Sequence, residues 1–125
     1  MKKIINTPNA PEAIGPYSQG VIIDKLVYTS GQLPINPNTK VMATEIKEAT
    51  KQSIENCKAI LENAGTTLEN VIKTTVFVKD LNDFSAVNEV YAQYFTQNFP
   101  ARSCVQVAKL PMDAPVEVEV IATLI

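Results

Sequence analysis

The chain has 125 residues, 46% of them hydrophobic and 19% charged, the size and balance of one globular domain over residues 1–125 and not of a disordered segment. A formal net charge of −2 gives no long-range attraction to nucleic acid or to an anionic membrane. There is no histidine, so any chemistry runs without an imidazole.

Met1–Ile5 starts like the basic end of a signal peptide. Asn6, Thr7, Pro8 and Asn9 interrupt it before an apolar segment forms, and no later run is long enough to span a bilayer. The expected location is therefore the cytoplasm, with no membrane partner. Pro8, Pro11, Gly15 and Pro16 punctuate the next stretch. Ser18–Asp24 and Leu26–Ser30 then read as the two arms of a hairpin turning at Asp24-Lys25. The prolines of Gly31–Asn38 predict a loop, because they cannot donate to a ladder.

From about Thr44 the period changes. Ile46, Ala49, Ile54, Cys57, Ile60, Leu61 and Ala64 fall on one helical face, and Gly65 stands where a left-handed C-terminal cap belongs. Val71–Lys79 is rich in β-branched residues and predicts a strand. Asn82 or Asp83 is the expected N-cap of a second helix that carries Phe84, Val87, Tyr91, Tyr94 and Phe95 on one side and is closed off by Pro100. Two strands finish the chain, Arg102–Leu110 and Val116 to about Leu124, split by a turn at Pro111–Pro115; Ile4-Ile5 offers one more.

This order predicts an α+β fold, a single mixed sheet of about six strands with two helices packed on one face. In the last strand Val116, Val118 and Val120 alternate with Glu117, Glu119 and Ile121, so one face is apolar and the other mixed. The mixed face, to which Val71, Phe77, Ile121 and Ile125 are assigned, needs a cover. A second copy of the chain is the expected one.

Two lone charges on these late strands suggest a site. Arg102 starts a strand after a proline break, and its planar fork suits a carboxylate ligand. Glu117 lies among valines; it is either an outward-facing residue like Glu119 or a group that orients a water and moves a proton. Cys104 shares a strand face with Arg102 and reads as a pocket wall, since it has no base to activate it. Tyr17 follows Gly15-Pro16 and either caps a pocket or anchors the core. Ser30-Gly31 ends a strand, where an amide and a hydroxyl meet a ligand or merely make a turn. Asn88 interrupts the second helix beside its apolar stripe and points to a specific hydrogen bond. Cys57 belongs to the core, and two cysteines without histidine make no zinc site. The four glycines form no phosphate-cradling loop.

Ile14-Gly15-Pro16-Tyr17-Ser18-Gln19, Tyr28-Thr29-Ser30-Gly31-Gln32, Val76-Phe77-Val78-Lys79-Asp80-Leu81, Asn88 with Tyr91, Pro100-Ala101-Arg102-Ser103 and Val116-Glu117-Val118 together resemble the Rid family of reactive intermediate deaminases. The likeness is greatest to its RidA branch and runs through essentially the whole chain. It implies a chorismate-mutase-like fold assembled as a homotrimer, with active sites in clefts between subunits. It also implies hydrolysis of 2-imino acids, such as 2-iminobutanoate and 2-iminopropanoate, to 2-oxo acids and ammonia, without cofactor or metal. In that resemblance Arg102 grips the substrate carboxylate, Glu117 contacts the attacking water and Cys104 lines the cleft. Ser30, Gly31 and Asn88 lie at or near it, and Tyr17 closes it from the adjoining subunit. Rival readings are a sensor of small 2-oxo acids or other carboxylates, a ribonuclease or translation inhibitor, and a holdase chaperone. The acidic balance and missing histidine weigh against the ribonuclease.

Overall fold

The structure, a computed structural model, describes residues 1–125. Strands β1 (Lys3–Ile5), β2 (Gly20–Ile23) and β3 (Leu26–Thr29) precede helix α1 (Ile46–Ala64). Strand β4 (Val71–Val78), helix α2 (Phe84–Tyr94) and strands β5 (Ala101–Gln106) and β6 (Val116–Thr123) complete the fold, with short 3-10 turns at Leu68–Asn70, Leu81–Asp83 and Pro111–Asp113. The six strands make one sheet in the order β1-β2-β3-β6-β4-β5. Only β4 and β5, joined through α2, run parallel; every other pair is antiparallel. No helix is long and apolar enough to cross a membrane.

Local chemistry explains most of these elements. The β2–β3 hairpin turns at Asp24, whose φ of 51° is a left-handed conformation that a short polar side chain tolerates. At the start of α1 the Glu45 carboxylate accepts the backbone N–H groups of Lys47 (2.9 Å) and Glu48 (3.0 Å). Those bonds hold its pKa below the ordinary carboxylate value. Gly65 ends the helix at φ 95° and donates its N–H to the Glu62 carbonyl, as the sequence predicts.

The core lies between the helices and one face of the sheet. Val116, Val118, Val120 and Ala122 of β6 and Val76 and Val78 of β4 meet Ile54, Cys57, Ile60 and Leu61 of α1. The α1 stripe also buries Thr50, Ser53 and Asn56, which apolar periodicity does not single out. Asn56 is there for its hydrogen bonds. Its amide donates to the carbonyls of Leu33 (3.1 Å) and Ile35 (2.9 Å) and so pins the proline-rich loop to the helix.

Four expectations change. Strand β5 stops at Gln106 instead of Leu110, because its only neighbour, β4, ends at Val78; the Val107 N–H to Val78 carbonyl bond (3.0 Å) closes that ladder. Asp83 stands at the N-cap of α2, one of the two expected residues, but its side chain makes no cap bond: the Asp80 carboxylate instead accepts from the Asn82 N–H (2.9 Å) and organises the 3-10 turn that feeds the helix. Segment 31–38 is a loop at its prolines, but Gln32 pairs with Val118 through both backbone bonds. Lastly, Val71 does not share a face with Phe77. A bulge between Val71 and Lys73 rotates Val71 onto Ala122 and into the core, while Lys73 pairs with Ile121.

The opposite face of the sheet has no helix over it. Lys73, Thr75 and Phe77 of β4, Glu117, Glu119 and Ile121 of β6, and Ser103 and Val105 of β5 alternate out of the core, half-buried or exposed.

Candidate active site

Arg102 and Glu117 lie on the two strands that flank β4, but on opposite faces of the sheet. Arg102 pairs with Thr74, which pairs with Val120 on the helix-covered side; Glu117 pairs with Phe77 on the open side. One chain therefore builds two half-sites, and not the single pocket that two charged strands suggest.

The first half-site sits between β5 and α2. Arg102 is half-buried and donates from Nη1 to the Asn88 Oδ1 at 2.7 Å, the specific bond that a polar residue in the α2 stripe foretold. Its guanidinium carbon lies 4.7 Å from the Tyr91 ring centroid and 5.4 Å from that of Phe84. No carboxylate comes within ion-pair distance, since the chain's two salt bridges are Lys47–Glu89 and Lys79–Asp113. Cys104 follows on the same face. Burial pushes its thiol pKa up and the Arg102 charge only partly opposes this, so it is no ready nucleophile. Cys57, buried in the core with its Sγ 3.4 Å from the Val118 carbonyl, is pushed by burial up to about 12.

The second half-site is a cavity of about 1070 Å³ at the other side of the sheet. Tyr17, Ser30, Gly31 and Glu117 line it; Arg102, Asn88 and Cys104 do not. Glu117 is half-buried and its pKa is raised, first by burial and then by the neighbouring Glu119 charge. Its carboxylate lies directly over Gly31, where a Cβ would collide with Oε1 and Cδ, so only glycine admits this approach. The Ser30 amide donates to the Gln19 carbonyl (2.8 Å) and its hydroxyl to the Ser18 carbonyl (2.5 Å), which fixes the strand end. Tyr17 is half-exposed at the rim, and its hydroxyl accepts the Ile14 N–H at 3.2 Å.

Gln19 and Tyr91 stand in the motifs that carry the resemblance, but with Phe84 they drew no site role from the sequence. Gln19 is buried and holds the N-terminal loop that walls the cavity: it accepts from the Thr7 N–H (2.7 Å) and donates to the carbonyls of Thr7 (3.0 Å), Ala10 (3.2 Å) and Pro11 (2.9 Å). Its signals in the sequence were its place at the end of the Ile14–Gln19 motif and at the start of an apolar strand. Tyr91 and Phe84 read as core residues by periodicity, yet they flank Asn88 at helical spacing.

Fold and half-sites define a protein class. Residues 7–124 match the Endoribonuclease L-PSP family, and the chain belongs to it, in its Rid group as the sequence motifs indicate. Among curated relatives, the 2-iminobutanoate/2-iminopropanoate deaminase of Salmonella typhimurium is 54% identical over 125 residues, 98% of each chain. Among solved structures, Escherichia coli TdcF with bound serine superposes with a TM-score of 0.94 at 49% identity, over 97% of this chain and 98% of that one. The Rid family protein YyfA of Yersinia pestis superposes with a TM-score of 0.96 at 48% identity, over 98% and 99%.

Proposed function

We propose that the chain is a cofactor-independent deaminase of reactive 2-imino acids of the 2-iminobutanoate and 2-iminopropanoate type. We further propose that it works as a homotrimer whose clefts join the Arg102 half-site of one subunit to the Glu117 half-site of the next. The observation that carries this reading is the placement of the two charges on opposite faces of one sheet: neither half-site holds both a carboxylate grip and a base. The uncovered face, with Phe77 and Ile121 on it, is the natural seat of a neighbour. The deaminase relatives at 54% and 52% identity over nearly the whole chain support the substrate class.

The chemistry asks little of the protein. Arg102, free of any carboxylate, takes the substrate carboxylate in its fork and orients the imine. A protonated imine is already electrophilic. Glu117 accepts a proton from water as the water oxygen adds to the imine carbon; its raised pKa makes it a stronger base than an exposed glutamate. The resulting carbinolamine breaks its C–N bond once nitrogen is protonated, its hydroxyl proton leaves, and 2-oxo acid and ammonium result. Protonated imine plus water balances 2-oxo acid plus ammonium. Cys104 serves as a wall, and Tyr17 closes the cleft. The net charge of −2 gives no long-range attraction to an RNA backbone, despite the family's description.

A second reading, a binding module for small carboxylates, uses the same Arg102 and draws on the serine held by E. coli TdcF. The two part at Glu117, which a sensor does not need. The test is subunit complementation. Arg102→Ala and Glu117→Ala are each expected to lose hydrolysis of 2-iminobutanoate, measured against semicarbazide trapping, while staying folded. Co-refolding them in equal amounts restores roughly a quarter of wild-type activity, because random assembly sets an intact Arg102 beside an intact Glu117 at about one interface in four. A mixed but inactive oligomer overturns the shared cleft. Variants as active as wild type overturn the roles given to Arg102 and Glu117, a wild type without hydrolysis overturns the deaminase, and light scattering that shows only monomer removes the shared cleft.

A further inference from the structure

We propose that Tyr91, together with Phe84, is a positioning residue that fixes the Arg102 guanidinium without spending its charge. This rests on the reading that Arg102 grips a substrate carboxylate. Phe84, Asn88 and Tyr91 stand at positions i, i+4 and i+7 of α2 and so share one stripe of the helix. All three face one guanidinium: Asn88 takes an N–H at 2.7 Å, and the two rings lie 4.7 and 5.4 Å from its carbon.

Tyr91 is itself tied down from behind. Its hydroxyl is 2.8 Å from Thr74 Oγ1, and its ring lies against Phe95 with centroids 4.5 Å apart and planes tilted by 31°. Thr74 is the ladder partner of Arg102. The chain Thr74–Tyr91–Arg102 thus closes on itself through the β4–β5 pairing, and sheet register dictates where the ring lies.

The choice of partners matters more than their number. A half-buried arginine is usually held by a carboxylate. An aspartate or glutamate here would orient the fork equally well, but would compete with an incoming carboxylate for the same N–H groups. An amide oxygen and two π faces orient the cation and leave it unneutralised. They also remove side-chain freedom that ligand binding would otherwise have to take from a long, flexible arginine. The ring faces are the working part, and the Tyr91 hydroxyl serves only to hold its ring.

Calorimetric titration with 2-oxobutanoate, a stable carboxylate, tests this without any turnover. Tyr91→Leu and Phe84→Leu are expected to weaken binding by about tenfold and several-fold respectively, and Tyr91→Phe, which keeps the ring, by less than about threefold. In the hydrolysis assay KM rises with kcat nearly unchanged, since the rings act on the carboxylate grip, which ground state and transition state share. Phe84 is partly exposed, so its variant folds even if Tyr91→Leu does not. Folded leucine variants that bind like wild type, while Arg102→Ala does not bind, overturn the positioning role and leave the carboxylate grip standing. If Arg102→Ala binds like wild type, the grip fails and this inference with it.

Discussion

On the helix-covered face of the sheet, Arg102 is held by Asn88, Tyr91 and Phe84; on the open face, the Glu117 carboxylate has only Gly31 beneath it and Glu119 beside it. The difference suits the role proposed for each group. A grip on a carboxylate works through fixed geometry, so its side chain is braced by a helix that the core already anchors. A base needs its proton affinity raised, so partial burial and a like-charged neighbour suit it, whereas good hydrogen-bond donors would lower its pKa. The same alternation that gives a strand two faces lets one short sheet carry both environments within a few residues.

Removing the proposed base sharpens the contrast most. Glu117→Gln is expected to lower kcat by about two to four orders of magnitude while 2-oxobutanoate still binds. It also has a stability signature. Because the folded-state pKa of Glu117 lies above the ordinary 4.5, burying the ionised form costs stability. The favourable contribution of the protonated acid is complete below the unfolded value and is lost as pH rises through the folded one. Glu117→Gln should therefore melt higher than wild type near pH 7, and this gain should vanish in acid, in calorimetric scans across pH. In wild type the hydrolysis rate should fall as pH drops through the same raised pKa, since only the ionised form accepts the proton.

Gly31→Ala perturbs the open face more gently. The new Cβ collides only with the end of the Glu117 side chain, which swings aside. A fall in kcat of roughly ten- to a hundredfold is expected from the displaced carboxylate, with little change in melting temperature. An equally large fall in stability would mean that Gly31 serves the fold and not the base. The smallest effect belongs to the helix-covered side. Burial keeps the Cys104 thiol protonated, so Cys104→Ser should leave kcat/KM within about threefold, and alkylation of wild type at neutral pH should be slow. A large loss would make the sulfur a participant.

The periodic elements were plain in the chain itself. The α1 stripe with its Gly65 cap, the α2 stripe with Asn88 inside it, and the valine–glutamate alternation of β6 are local patterns, each decided by side chains a few residues apart. The motifs around Tyr17, Ser30, Arg102 and Glu117 likewise pointed to the residues proposed for the cleft. What tertiary structure decided is relational. The bulge that turns Val71 inward depends on which strand lies beside β4, and the end of β5 on where β4 itself stops. The separation of Arg102 from Glu117 follows from placing β4 between their strands in a particular register, and Tyr91 becomes a shelf only because Thr74 lies next to Arg102. Strand order and register are set by contacts between residues distant in sequence, which no local period encodes.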